Sequence, residues 1–327
     1  MKKFRWFAFF MAIVLFIVLS ACQTGKKDKQ SQATNFEANI QSKIVIGVTL
    51  QDISNEFITM LNDALLRKVQ EYPDVEIIIN DAEAKPDKQV AQMESFITQR
   101  VDAIIINPAD ANALIPSVES AIKSGIPVIT LSSNISRDVG QVWSGSDNFT
   151  AGEIQAEYIV KQLKGKGNLA ILRGPVGHMA EIDRYRGYRH VIDNYPDIKI
   201  VFDQTANWQR EQAMAIMEDW VQAGVKIDAV LSQNDAMMLG ALKAIEDSQQ
   251  NDTPVTTGID AIEEALDAIK EGRLNATCFQ DSKGQAFEAI DMAIKAVKGE
   301  KIQNRIIPFE LVTRDNVTNY YDRIRFN

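Results

Sequence analysis

Short apolar runs alternate with longer segments of helical periodicity from Lys43 to near the end of the chain. The runs are rich in Val and Ile at consecutive positions, which is typical of parallel strands covered by helices on both faces. Between the first two runs, Phe57, Leu61, Leu65 and Val69 recur every four residues and predict one amphipathic helix. The repeated strand-helix pattern predicts an α/β fold of doubly wound parallel sheets.

The predicted strands are the most apolar of these runs. They are IVIGVT (44–49), VEIIIN (75–80), AIIIN (103–107), PVITL (127–131), NLAIL (168–172), IKIVFDQ (198–204), DAVLS (228–232), PVTTGI (254–259) and NATCFQ (275–280). Polar residues that can cap the following helices are Ser54, Asp110, Asp147, Asp235 and Asp260. The segments 101–122 and 227–247 share a strand, an Asn, an Asp and a helix, which suggests two similar halves.

Several predicted strands stop abruptly at polar residues. The run DAVLS continues as QND, and IIINPAD (104–110), TLSSN (130–134), ILRGP (171–175) and TGID (257–260) have the same form. In open α/β sheets the ligand crevice lies beyond the carboxyl ends of the strands. These Asn and Asp residues can instead cap helices and shape turns. Their recurrence at several strand ends favours one shared ligand site.

The polar groups at these ends suit a neutral polyhydroxy ligand. Planar amides, carboxylates and guanidinium groups can each satisfy two neighbouring hydroxyls, and aromatic faces cover the C–H side of a ring. The candidates of the first kind are Asn107, Asn234, Asp260, Arg184 and Gln280, and those of the second kind are Phe57 and Trp208.

Catalytic and metal-binding patterns are poorly supported. The chain has two histidines, neither in a zinc-binding spacing, and no Walker A, GxSxG or GxGxxG motif at a strand-helix junction. His190 has the context of a structural residue, whereas His178 either approaches the crevice or caps the loop after GPVG. We therefore expect no enzyme activity, no cofactor and no metal.

The first residues predict export. Lys2, Lys3 and Arg5 precede an apolar run that is short for a membrane span and has the length of a signal-peptide core. The run ends in Leu19-Ser20-Ala21-Cys22, which resembles the lipobox of bacterial lipoproteins and makes Cys22 the lipidation site. Residues 1–21 are then a signal peptide and 22–42 a lipidated, flexible tether. The alternative is a true membrane anchor beside an incidental Cys.

The net charge and the cysteine content limit the kinds of partner and the covalent cross-links that can be expected. Loss of Lys2, Lys3 and Arg5 would take the net charge from −9 to −12, which opposes binding to nucleic acid. After lipidation of Cys22 only Cys278 remains, so no disulfide is expected. Cys278 is expected to be a buried small hydrophobic residue. The segment 43–327 is long for one core, so two domains are expected.

From about Lys43 to Val312 the chain resembles the pentose, hexose and cyclitol solute-binding proteins of ABC importers, the ribose-binding protein group. The resemblance is carried by SQNDAMMLGALKAI (232–245), INPAD (106–110), GIPVITL (125–131), GSDN (145–148) and VKGEKI (297–302). It implies a type I periplasmic binding protein, in which two Rossmann-like lobes joined by a three-segment hinge close on the ligand. The expected lobes are 43–146 plus 281–309 and 147–280 plus 310–327.

The resemblance also implies particular ligand contacts. Matching positions are Asn55, Phe57, Asn107, Arg184, Trp208, Asn234, Asp260 and Gln280. Ribose binders have Asp-Arg after VITL, where this chain has Ser132-Ser133, and an aromatic residue at Ile259. These departures oppose ribose. Ser132 and Ser133 complete the expected ligand-binding set.

The segments 174–187 and 203–220 are similar to those of inositol binders, so myo-inositol is the preferred ligand and a pentose or hexose pyranose the alternative. The resemblance implies a monomer outside the cytoplasm, held at the membrane by its lipid, that delivers the ligand to an ABC permease. A sensory module for a chemoreceptor or kinase is the second hypothesis. A LacI-type repressor would need a helix-turn-helix where the signal sequence stands.

Overall fold

A computed structural model describes residues 43–248 and 252–326. The predicted signal peptide, the lipidation site Cys22 and the tether up to residue 42 lie outside the described residues. Within those residues, no helix combines the length and the hydrophobicity that crossing a membrane requires.

The strands are numbered in chain order. They are β1 (Ile44–Leu50), β2 (Val75–Asp81), β3 (Ala103–Ile106), β4 (Val128–Ser132), β5 (Val142–Gly145), β6 (Gly167–Arg173), β7 (Ile198–Thr205), β8 (Ala229–Ser232), β9 (Val255–Asp260), β10 (Ala276–Phe279), β11 (Arg305–Ile306) and β12 (Glu310–Thr313).

Helices separate most of the strands. They are α1 (Glu56–Val69), α2 (Pro86–Gln99), α3 (Ile115–Lys123), α4 (Asn148–Leu163), α5 (Met179–Ile192), α6 (Arg210–Gln222), α7 (Asp235–Asp247), α8 (Glu263–Glu271), α9 (Ser282–Val297) and α10 (Tyr321–Ile324). A 3-10 turn, Val317–Asn319, precedes α10.

The strands form two six-stranded sheets, one in each lobe. The N-terminal lobe has the order β11-β5-β4-β3-β1-β2, and all its neighbouring strands are parallel. The C-terminal lobe has the order β12-β10-β9-β8-β6-β7, parallel except for the antiparallel pair of β10 with β12. The predicted α/β class with two doubly wound lobes is confirmed.

Each sheet has a hydrophobic core on both faces. In the N-terminal lobe, α1 and α9 cover one face and α2 and α3 the other. In the C-terminal lobe, α6, α7 and α8 cover one face and α4 and α5 the other. Burial on both faces explains why the central strands are continuous apolar runs rather than alternating ones.

The chain passes between the lobes three times. It crosses between β5 and α4, returns between β10 and α9, and crosses again between β11 and β12. The three crossings are short and adjacent, as in a hinge. Because the sheets are parallel, the carboxyl ends of their central strands face the gap between the lobes.

The sequence missed three strands, β5, β11 and β12. Each has four residues or fewer, and the two-residue β11 is exposed at the sheet edge. Short edge strands bury little apolar surface and leave a weak pattern.

Four of the five predicted caps are also wrong, and only Asp147 caps its helix, α4. Asn55 rather than Ser54 caps α1, and Asn234 rather than Asp235 caps α7. The helices α3 and α8 begin after Leu114 and Ile262, without a side-chain cap from Asp110 or Asp260.

Candidate functional site

A pocket lies between the lobes, where strands of both sheets end. Its lining residues are Gln51, Asn55, Phe57, Ile58, Asn107, Ser132, Ser133, His178, Ala180, Arg184, Trp208, Asn234, Asp260 and Gln280. The inner cavity measures only about 30 Å³ and adjoins a wider cleft of about 380 Å³ that shares Gln51, Asn55 and Trp208. A cavity of 30 Å³ holds about two water molecules. The pocket of this structure is therefore narrow at its inner end and widens toward the cleft.

The N-terminal wall is built from amides held by the backbone. The Asn55 carboxamide oxygen caps α1 by accepting from the amides of Phe57 at 3.1 Å and Ile58 at 3.3 Å. The Asn107 Nδ2 group donates to the Leu131 carbonyl at 3.0 Å, across two neighbouring strands. These bonds fix both carboxamides and leave each with spare donors or lone pairs toward the pocket.

The end of β4 joins this wall to the hinge. Ser132 has a left-handed backbone with φ 65°, an unusual conformation for a residue with a side chain. Its hydroxyl accepts a hydrogen bond of 2.9 Å from Nε2 of Gln280, the residue that follows β10 of the other lobe. Ser133 is buried beside it. Ser132 and Gln280 thus connect the lobes at the floor of the pocket.

Arg184 is the centre of the C-terminal wall. It is buried on α5, and its Nε donates to Asn148 Oδ1 at 2.9 Å. One terminal nitrogen donates to the Gln233 carbonyl and the other to Gln280 Oε1 at 2.9 Å. The guanidinium is therefore held in one orientation by groups from three elements. Burial lowers the pKa of Arg184, and the nearby Asp260 opposes that shift.

Asp260 supplies the one carboxylate of the lining. It ends β9 with φ 125° and is buried. Burial, together with the neighbouring Asp235, raises the pKa of Asp260, whereas Arg184 acts to lower it. Burial also raises the pKa of Asp235, to about 7, against hydrogen bonds from Thr277 and the backbone. Arg184 therefore lies near two buried acids whose own pKa values are raised, and the acceptors that hold its guanidinium are neutral ones: Asn148, the Gln233 carbonyl and Gln280.

Trp208 forms the aromatic part of the wall. Its backbone is left-handed, with φ 64°, which turns the indole over the start of the GPVG loop. A Cβ at Gly174 would lie 2.2 Å from the indole, so only glycine permits this packing. The Arg184 guanidinium lies 5.7 Å from the centre of the ring. The indole Nε1 is buried without a hydrogen-bond partner in the described residues.

Asn234 shows that capping and pocket lining are compatible. Its Oδ1 accepts from the Met237 amide at 3.0 Å and caps α7, and its Nδ2 donates weakly to the Trp208 carbonyl at 3.4 Å. Asn234 nevertheless lines the pocket, as Asn55 does on the opposite wall. The two interpretations of the polar strand ends, as caps and as site residues, therefore apply to the same side chains.

Every ligand-binding residue that the sequence suggested lies around this pocket. The set is Asn55, Phe57, Asn107, Ser132, Ser133, Arg184, Trp208, Asn234, Asp260 and Gln280. The sequence did not single out three lining residues, Gln51, Ile58 and Ala180. Gln51 directly follows β1, Ile58 directly follows the predicted Phe57, and Ala180 lies at the start of α5. The position of Gln51 just beyond β1 was the available signal. His178, whose placement the sequence left open, both caps α5 and lines the pocket.

Comparison with known proteins agrees with this architecture. The sequence profile of the periplasmic binding protein domain matches residues 46–301. A xylitol-binding protein of Mycolicibacterium smegmatis is 36% identical over 276 residues, which cover 83% of this chain and 78% of that protein.

Two solved structures are similar in fold and sequence. An ABC transporter solute-binding protein from Bacillus halodurans with bound myo-inositol is 38% identical, with a TM-score of 0.83, covering 86% of this chain and 99% of that one. The fructose-binding periplasmic domain of a hybrid two-component system is 28% identical, with a TM-score of 0.80, covering 84% and 92%. The fold, the matched profile and these likenesses agree: the chain belongs to the periplasmic binding protein family.

Proposed function

We propose that this protein captures a neutral sugar or cyclitol between its lobes and delivers it to an ABC importer, with myo-inositol as the preferred ligand. The observation that carries the proposal is the convergence of amides, hydroxyls, a guanidinium, a carboxylate and two aromatic rings on one interlobe pocket. Such a set can satisfy the paired donor and acceptor capacity of several hydroxyls at once. The protein binds the ligand without transforming it.

The contacts of Arg184 support a neutral ligand. Arg184 already has three hydrogen-bond acceptors within the protein, and the buried acid Asp260 lies nearby. An anionic ligand would have to displace those acceptors in order to pair with the guanidinium, and a cationic ligand would be repelled by the guanidinium. Desolvation of an unpaired charge is costly, so an uncharged polyol is the better match.

Two observations support a cyclitol over ribose. Ser132 and Ser133 stand where ribose binders have Asp-Arg, and the Ser132 hydroxyl is already engaged by Gln280. The similar Bacillus halodurans structure holds myo-inositol. A pentose or hexose pyranose is the alternative ligand.

We propose that the protein acts outside the cytoplasm as a lipoprotein, with Cys22 as the modified residue. Residues 43–146 with 281–309 and residues 147–280 with 310–327 would act as the two closing units. Mass spectrometry of the mature protein from its native membrane should find a diacylglycerol-modified Cys22 at the N-terminus; an unmodified Cys22 would contradict the anchor.

Isothermal titration against a panel of polyols tests the ligand class. We expect myo-inositol to bind at one site and to raise the melting temperature, because a ligand that binds only the folded state stabilises it. Xylitol, ribose, allose and glucose serve as comparison ligands. Binding of ribose or a hexose in preference to myo-inositol would change the assigned ligand, and binding of no polyol would refute the ligand class. The recovered ligand should be chemically unaltered.

A sensory role is the second candidate. It is favoured by the similarity to the fructose-binding domain of a hybrid two-component system. Reconstitution with a candidate ABC permease of the same organism separates the two roles: the importer hypothesis predicts that the ligand-bound protein stimulates the ATPase of that permease. Absence of such stimulation, with activation of a receptor kinase, would favour the sensory role.

A further inference from the structure

His178 has a fixed tautomer at the edge of the pocket. Its Nδ1 accepts a hydrogen bond of 3.1 Å from the Ala180 amide and so caps α5. A neutral imidazole carries its proton on the nitrogen that does not accept, which here is Nε2. The pocket-lining ring therefore offers one N–H donor and no further acceptor.

The Nε2 group of His178 is buried and unpaired. The side chain belongs to a residue that is 3% exposed, and among the described residues Nε2 makes no hydrogen bond of good distance and angle, although the Pro108 carbonyl of the opposite lobe lies near enough to raise the pKa of the ring. The ring meets the Trp208 indole edge to face, at 5.4 Å between centroids and 84° between planes. A buried donor without a partner is unfavourable, and in a ligand-binding pocket it is naturally satisfied by the ligand.

The surroundings keep the ring neutral. Burial and the charge of Arg184 lower the pKa of His178 to about 3, and Asp110 and the Pro108 carbonyl of the opposite lobe oppose the shift without reversing it. A neutral ring cannot form an ion pair with a ligand. It can only donate, through Nε2, to an oxygen lone pair.

We propose that His178 is a specificity-determining residue whose Nε2–H donates to one oxygen of the bound polyol. The inference rests on the proposed function and adds a requirement that Asn and Gln side chains do not impose. A carboxamide can present either its oxygen or its nitrogen to a hydroxyl. This imidazole presents only a donor, so it is satisfied only by a ligand that has an oxygen at that one place. Epimers or deoxy analogues that lack this oxygen leave the donor unpaired and are rejected.

The competing explanation for the same ring is a contact between the lobes. The Pro108 carbonyl of the opposite lobe is a hydrogen-bond acceptor close to His178, and in this explanation Nε2 serves the closure of the lobes instead of the ligand. That role would stabilise closure equally around any ligand. A direct contact, by contrast, would depend on which ligand oxygen is present, and this difference defines the test.

The test is a titration of three variants with myo-inositol and with the deoxyinositols that lack each hydroxyl in turn. His178→Asn can keep the helix cap but is too short to reach the ligand, and His178→Phe keeps the ring but loses both functions. His178→Gln can place an N–H near the position of Nε2. We expect the Asn and Phe variants to bind myo-inositol about 10- to 100-fold more weakly and the Gln variant to recover part of that loss.

One deoxyinositol should bind wild type and His178→Asn with the same affinity to within about twofold, because the oxygen that His178 contacts is missing. A loss of equal size for every analogue would overturn the proposal in favour of a contact with Pro108. Unchanged affinity in all three variants would also overturn it. Failure of wild type to bind any inositol would instead refute the proposed function and, with it, this inference.

Nitrogen-15 NMR of the imidazole provides a second measurement that does not depend on variants. We expect a neutral ring with its proton on Nε2 from pH 5 to 8, and a shift of that N–H signal when myo-inositol binds. A charged ring in this range, or a proton on Nδ1, would contradict the donor role.

Discussion

The two walls of the pocket differ in their chemistry. The N-terminal wall offers Gln51, Asn55, Phe57, Ile58, Asn107, Ser132 and Ser133, none of which changes charge near neutral pH. The C-terminal wall carries the ionisable and indole groups of the lining: His178, Arg184, Trp208 and Asp260. Both walls come from similar sheets, so the difference lies in the residues at the strand and helix ends.

This difference suggests that the two walls contribute unequally to ligand binding. The C-terminal wall has buried groups with unused hydrogen-bonding capacity, including the N–H groups of His178 and Trp208. The N-terminal carboxamides of Asn55 and Asn107 make backbone hydrogen bonds, and none of their buried polar atoms lacks a partner among the described residues. We infer that the C-terminal wall contributes most of the affinity and selectivity, and that the N-terminal wall completes the enclosure when the lobes close.

The largest expected effect is at Arg184. Arg184→Ala removes the guanidinium from the pocket and leaves Asn148, Gln280 and the Gln233 carbonyl without their donor, so affinity for myo-inositol should fall by at least about 3 kcal/mol, or roughly 150-fold. Arg184→Lys keeps the charge but cannot bridge the same groups, so its loss should be intermediate. Titration calorimetry and the melting temperature of the unliganded variants measure the two effects. Retained affinity in Arg184→Ala would contradict the inference that the C-terminal wall contributes most of the affinity.

The second effect is a pH dependence of stability due to His178. In the folded protein the pKa of His178 is lowered to about 3, whereas in the unfolded chain it is about 6.5. Below about pH 6.5 the unfolded chain therefore binds a proton that the folded protein does not bind. Stability that is present above pH 6.5 is therefore lost as the pH falls, by about 2 kcal/mol at pH 5.

His178→Asn should lack this loss when urea unfolding of the two proteins is compared between pH 7.5 and 5. Asp235, whose raised pKa of about 7 makes its contribution change in the opposite sense, is present in both proteins and cancels in the comparison. Parallel pH profiles would show that the ring is not kept neutral by burial.

Matched caps on the two walls provide the third prediction. Asn55→Ser and Asn234→Ser each remove a carboxamide but keep a good helix cap, so unfolding should change little. Asn234 is buried, and its loss should weaken binding by about 1.5 kcal/mol; Asn55 is half-buried and accessible to water, and its loss should cost about 0.5 kcal/mol or less. A larger loss of affinity in Asn55→Ser than in Asn234→Ser would contradict the inference that the C-terminal wall contributes most of the affinity.

The smallest effect concerns the cleft mouth. Arg210 on α6 pairs with Glu56 of the N-terminal lobe at 2.7 Å and with Glu264 of its own lobe at 2.7 Å. Among the residues 43–248 and 252–326, Arg210–Glu56 is the one salt bridge between the lobes. Glu56→Gln should speed ligand release by at most about fivefold, because partly exposed ion pairs contribute about 0–1 kcal/mol.

Glu264→Gln is the matched control for the Arg210–Glu56 salt bridge. It removes the partner of Arg210 that does not cross the cleft, so stopped-flow release should stay near the wild-type rate. Equal acceleration in both variants would assign the effect to the orientation of Arg210 rather than to contact between the lobes.

The sequence predicted the fold class because the apolar runs that form central strands are buried on both faces. It also predicted the grouping of Asn107, Asn234 and Asp260, because parallel strands bring their carboxyl ends together. The resemblance added Asn55, Ser132 and Ser133, which pattern alone did not select.

Other features depend on tertiary geometry that no local pattern encodes. The short strands β11 and β12 exist because they pair with longer neighbours. The donor role of His178 follows from its cap on Ala180 and from its burial between the lobes, and the sequence alone left capping and pocket contact as alternatives.

A crystal structure of the protein with myo-inositol tests the central claim most directly. We predict one ring between the lobes that contacts Asn107 on one wall and Arg184 and Asp260 on the other, with Trp208 over its C–H face. A ring bound elsewhere, or a pocket that stays free of ligand at saturating myo-inositol, would contradict the account.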